Sequence, residues 1–194
     1  EEARVKLTEV TELQPRNLQA LGMLAVAMVQ MGDFEEVEKK ILPKMESVAG
    51  GTANNYLVLI TRGQLADSKG KDHYENARDA FEQAAKVRPG LPVLMEWILR
   101  LDFMLVDKNA AEEHARQLLK IDRNNSFANY IMGSLMLERG NPEKAEDYLR
   151  RSANTSKTPE ALNDLAELLR KTGNKTEAET QIRAAIKMAP DFYV

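Results

Sequence analysis

Six small or apolar residues, Ala3, Val37, Ala77, Ala111, Ala145 and Ala178, recur along this 194-residue chain at steps of 34, 40, 34, 34 and 33. A period of this length constrains the fold more tightly than composition does. Each period must be one supersecondary unit that cannot bury its apolar face alone and stacks on its neighbours to do so. Four residues further on, Leu7, Ile41, Phe81, Ala115, Leu149 and Ile182 climb in step, and Val10, Ala84, Leu118 and Ala185 follow after three more. Offsets of four and three place these residues on one face of a helix. Leu13, Val87, Ile121 and Met188 end the same segments, and Pro15, Pro89 and Pro190 follow three of them, where a residue that cannot continue a helix is expected.

A second helix lies between successive ladders. Leu21, Leu24, Ala25 and Met28 open the first of these, and Leu162, Leu165, Ala166 and Leu169 open the last. Gly32-Asp33, Gly140-Asn141 and Gly173-Asn174 stand just past their ends, as terminating Gly and turn-forming Asx residues should. The repeating unit is therefore helix, tight turn, helix.

Composition excludes several alternatives. No Cys is present, which removes disulfide scaffolds and Cys-ligated zinc and leaves cysteine usage silent on compartment. The 27 basic residues are balanced by 30 acidic ones without a block of either sign, so no electrostatic footprint for nucleic acid or an anionic membrane is present. No run of about 18 apolar residues exists to span a bilayer. His73 and His114 lack the spacing of a metal site, Gly50-Gly51 precedes no phosphate-binding motif, and no Ser sits in a nucleophile elbow. No cofactor, metal or catalytic residue is expected.

The pattern resembles the tetratricopeptide repeat. Residues 159–191 carry Leu162, Leu165-Ala166, Leu169, Gly173, Ala178, Ile182, Ala185 and Pro190; residues 126–158 carry Met132-Gly133, Met136, Gly140, Ala145 and Leu149; residues 18–48 carry Leu21, Leu24-Ala25, Met28, Gly32-Asp33-Phe34 and Ile41. The resemblance implies an all-α fold, a right-handed solenoid of stacked antiparallel hairpins running as one domain over residues 1–194. Its parts would be an orphan second helix at 1–15, repeats at about 18–52, 53–91, 92–125, 126–158 and 159–191, and the start of a further first helix at Phe192-Tyr193-Val194. With an unpartnered helix at one end and a truncated one at the other, the chain reads as a piece of a longer solenoid, mostly monomeric with weak end-to-end self-association.

Departures from the pattern locate irregularities. The 40-residue step places about one extra residue near Gly50-Gly51 and about five in the segment from Asp67 to His73, read as a loop with little to anchor it. Pro43 removes a backbone donor inside a second helix and should kink or split it. Val106-Asp107 stands where a turn Gly is expected.

In this family the first helices line the concave face. Carrying that arrangement over gives a peptide-binding groove of Val26, Leu57, Trp97, Arg100, Phe103, Phe127, Tyr130, Ser134, Asn163, Glu167 and Arg170, with Val29, Gln64, Leu137, Glu160, Asp164 and Lys171 beside them. The Lys, Asn and Arg clamp that some members use for a C-terminal carboxylate is replaced by Gly22, Val26, Glu96 and Tyr130. The expected function is a non-catalytic scaffold that binds a protein or peptide in a partly aromatic groove, without nucleic acid or membrane insertion. The alternative is the regulatory or scaffolding arm of a larger enzyme, or of a bacterial envelope or exopolysaccharide export assembly.

Overall fold

Seven helices begin at a side-chain cap that the sequence supplies. Asn17, Asn55, Asn125 and Thr158 open first helices, and Asp107, Asn141 and Asn174 open second helices, each accepting a backbone N–H from the first turn. Each such cap contributes about 1 kcal/mol. The computed structural model describes residues 1–51, 54–156 and 158–190, and the expected helix start at Phe192-Tyr193-Val194 lies outside them. Among the described residues there are eleven helices and no strand. They are α1 (Glu2–Leu13), α2 (Leu18–Gln30), α3 (34–48), α4 (Tyr56–Ser68), α5 (Tyr74–Val87), α6 (Pro92–Met104), α7 (Lys108–Ile121), α8 (Ser126–Glu138), α9 (Pro142–Thr155), α10 (Pro159–Lys171) and α11 (Lys175–Met188). None is long and apolar enough to cross a membrane.

The tight turns close as expected. Asp33, Asn141 and Asn174 each donate their backbone N–H to the carbonyl five residues back, while Gly32, Gly140 and Gly173 take positive φ. Val106 occupies the same conformation at φ 59° without being a glycine, which costs about 1 kcal/mol for a side chain branched at Cβ.

Pro43 is accommodated differently from a break. Residues Val37–Ile41 form a π turn in which the N–H of Leu42 donates to the carbonyl of Val37. Proline has no N–H for the carbonyl four residues earlier and its ring crowds that carbonyl, so a widened turn relieves both problems. The turn adds one residue and advances the buried face by one position. Val37, Leu42 and Met45 are buried, while Ile41, the residue the ladder singled out, is only half-buried. The single extra residue of the long period therefore sits inside α3 and not at Gly50-Gly51. The remaining insertion is also shorter than expected, since α4 runs through Asp67 to Ser68 and a 3-10 turn follows at Lys71–His73.

Contacts divide the chain into two compact units, Glu1–Val106 and the segment from Asp107 onward. In the first, α1–α6 enclose one apolar cluster around Leu21, Met45 and Val58 and another around Leu59, Phe81 and Leu94. In the second, Leu118, Met132, Leu149 and Leu162 are fully buried among α7–α11. Both units bring a first helix against its second helix so closely that only hydrogen fits at one position. A Cβ on Gly63 would stand 2.4 Å from the Phe81 ring, and one on Gly133 would stand 2.7 Å from Leu149 Cγ.

Ion pairs cross from each repeat to the next within a unit. Arg4 bonds Asp33 at 2.7 Å and Glu36 at 3.0 Å, and Lys69 bonds Glu38 at 2.7 Å. In the second unit Arg139 pairs with Glu112, and Arg150 pairs with Glu177. Hydrogen bonds from Arg139 and then Arg116 hold the Glu112 carboxyl down at about 2.

Candidate functional site

Every first helix is thirteen residues long, so a given position in each helix falls at the same height of its unit. The site is therefore a matter of which residue each helix places at its fifth, sixth, ninth and twelfth positions.

In the first unit the ninth and twelfth residues of α2 and α4 and the sixth and ninth of α6, namely Val26, Val29, Gln64, Asp67, Trp97 and Arg100, line a cleft of about 270 Å³, with Gln30, Ser68 and Phe81 also at its surface. Trp97 rests against Phe81, with ring centroids 5.0 Å apart and planes tilted by 43°. It both packs between helices and forms the cleft wall. Arg100 donates to the Asp67 carboxylate, so the charges in the cleft cancel. Gln64 Oε1 is shielded from solvent and accepts no hydrogen bond. Two expected groove residues fall elsewhere in this unit. Leu57 packs on the Leu21 cluster, and Phe103 is exposed outside the cleft lining.

Asp67 was missed by sequence reading because the extra residues of repeat two were assigned from Asp67 onward. The signal was available, as no helix breaker intervenes between Leu65 and Gly70.

In the second unit, α8 and α10 border a cleft of about 540 Å³ that includes Ser134, Leu137, Asp164, Glu167, Leu168 and Lys171. Phe127, Tyr130 and Asn163 are half-buried on these helices, outside the cleft lining, and Arg170 is exposed. Burial, followed by the charge of Asp164, raises the Tyr130 hydroxyl above the usual phenol range. Burial, followed by the charge of Glu167, raises the Asp164 carboxyl above the usual carboxylate range. Glu167 moves the other way because Lys171 hydrogen-bonds to it at 2.7 Å. His73 ends the 3-10 turn and His114 lies on α7; among the described residues no three potential metal-ligating side chains gather. What the two faces offer is shaped contact surface.

Residues 132–191 match the sequence profile of the tetratricopeptide repeat. No curated protein sequence matches the chain significantly. Among solved structures, PilF of Pseudomonas aeruginosa is similar at 18% identity and a TM-score of 0.81, over 98% of this chain and 84% of that one. The structure of YrrB, described as a tetratricopeptide-repeat protein with an unusual peptide-binding site, is similar at 15% identity and a TM-score of 0.69, over 95% and 93% of the two chains. A structure of MamA is similar at 15% identity and a TM-score of 0.68, over 88% and 90%. Residues 132–191 thus carry the tetratricopeptide repeat in sequence, and the described helices share the fold of tetratricopeptide-repeat solenoids. Members of this class are generally non-catalytic modules that bind other proteins.

Proposed function

We propose that this protein is a scaffold whose inner faces each hold a segment of a partner polypeptide, and that the cleft of the first unit takes an apolar anchor side chain. The observation that carries the reading is the composition of that cleft. Val26, Val29 and Trp97 give it apolar walls, the Asp67–Arg100 pair leaves it without net charge, and the enclosed Gln64 Oε1 lacks a donor. The printed description of YrrB, a protein of the same fold, as having a peptide-binding site agrees with this reading.

Trp97 is the only tryptophan and lies in the cleft wall, so it reports occupancy directly. Random dodecapeptides selected on the whole chain should share an apolar anchor and change Trp97 emission. Val26→Asp places a charge in the apolar wall, and it should weaken those peptides about 30-fold, the equivalent of losing one interface anchor. Selected peptides that leave Trp97 emission unchanged, or that bind Val26→Asp as well as the parent, would overturn the assignment.

A further inference from the structure

The inner face of the second unit differs from that of the first in its charges. On α10 the second, sixth and ninth residues are Glu160, Asp164 and Glu167. Glu167 is answered by Lys171 four residues on, and Glu138, which borders the same cleft, is answered by Lys108 at 2.7 Å. Among the described residues no cation pairs with Asp164 or Glu160. The charges that act on Asp164 are those of Glu167 and Glu160, both carboxylates. The Tyr130 hydroxyl, from α8, and the Asn163 amide donate hydrogen bonds to it and offset part of that penalty, but neither carries a positive charge.

A half-buried carboxylate with hydrogen-bond donors but no cation is only partly compensated in the free protein, since burial penalises its charge and the like charges of Glu167 and Glu160 add to the penalty. The same arrangement suits an incoming ammonium or guanidinium group, which gains a carboxylate partner and an aromatic face together. A free carboxylate or phosphate would meet repulsion there. The cleft alongside, with Leu137 and Leu168 in its lining, supplies apolar surface for the aliphatic stem of such a side chain.

We infer that the α8–α10 face of the second unit is a docking site for a lysine- or arginine-bearing segment of a partner protein, the basic side chain seated between Tyr130, Asp164 and Glu160. This rests on the reading of the inner faces as peptide-binding surfaces and assigns one of them its partner chemistry. Arg170 and Lys171, one turn beyond at the C-terminal end of α10, give the face a polarity, so the occupant carries its basic residue toward the N-terminal end of α10.

The test uses the whole chain and three acetylated, amidated peptides, (Ala-Lys-Leu)4, (Ala-Gln-Leu)4 and (Ala-Glu-Leu)4, titrated while backbone amide resonances are followed by NMR. The lysine peptide should shift the amides of α8 and α10 with the highest affinity and should weaken as salt rises from about 50 to about 300 mM, which shortens the Debye length from about 14 to about 6 Å. Asp164→Asn keeps the shape of the side chain and one acceptor oxygen while removing the charge, and together with Glu160→Gln it should cut lysine-peptide affinity about 10-fold while the glutamine peptide is unaffected. Equal binding of the lysine and glutamine peptides at these helices would overturn the charge assignment and leave the peptide-binding reading standing. Tighter binding of the glutamate peptide would overturn it outright. Failure of all three to perturb either helix would remove both readings for this unit. A melting temperature of the double variant no lower than the parent's establishes that any loss is a loss of recognition.

Discussion

The two inner faces are written in the same register, and one pair of positions shows how their charges diverge. In the first unit the twelfth residue of α4 is Asp67 and the ninth residue of α6 is Arg100, and they pair. In the second unit the corresponding residues of α8 and α10 are Leu137 and Glu167, which cannot. One cleft therefore has its charges cancelled internally, and the other keeps Asp164 beside carboxylates. First helices of the same length thus carry two differently charged faces, because adjacent first helices place those two positions close enough for one side chain to neutralise the other where their charges are opposite.

The largest effect expected concerns what the units share. Gly63→Ala forces a Cβ into the Phe81 ring and Gly133→Ala forces one against Leu149, so each should destabilise its own unit by about 3 kcal/mol and about 2 kcal/mol respectively, the ring having less room to move. Urea unfolding followed by Trp97 emission reads the first unit. An unchanged midpoint for Gly63→Ala would mean that α4 and α5 are not held this close in solution.

A smaller effect tests the difference itself. Leu137→Asp combined with Glu167→Arg transplants the first unit's ion pair into the second. Preference for the lysine peptide over the glutamine peptide should fall about 10-fold, or about 1.4 kcal/mol. Retention of the full preference would show that the Asp67–Arg100 pair is not what sets the two faces apart.

The smallest effect is a pH dependence of opposite sign at two carboxylates of the second unit. Glu112 has a folded value of about 2, below its ordinary value of 4.5, so the stability it contributes is present above 4.5 and is lost as pH falls from there toward 2. Its partners are at the surface, so the loss is on the order of 1 kcal/mol and should vanish in Glu112→Gln. Asp164 is shifted upward, so its native state holds a proton more tightly than the unfolded chain does, and its ionisation above that range lowers stability. Asp164→Asn should therefore raise the neutral-pH melting temperature slightly, with the gain disappearing in acid. A lowered melting temperature for Asp164→Asn would show a stabilising cation beside it.

Much of this protein is legible in its sequence because its contacts are local and repeated. The apolar ladders located every second helix, while six Asx residues and Thr158 set seven helix starts and Gly residues set three tight turns, since caps and left-handed turns depend on residues a few positions apart. Two irregularities in the period were also visible, but their resolution was not. Whether Pro43 breaks α3 or widens it depends on which residue the core then accepts, and the core accepts Leu42 and Met45 through a π turn. Asp67 became a helical residue paired with Arg100 because α6 brings a guanidinium to it. Burial of Asp164 beneath Tyr130, and cancellation of charge around Trp97, likewise arise between residues about 30 apart in sequence. Periodicity determined which residues face inward; only the stacking of one first helix on the next decided which of them neutralise each other and which remain for a partner, because charge compensation acts across the interface and not along the helix.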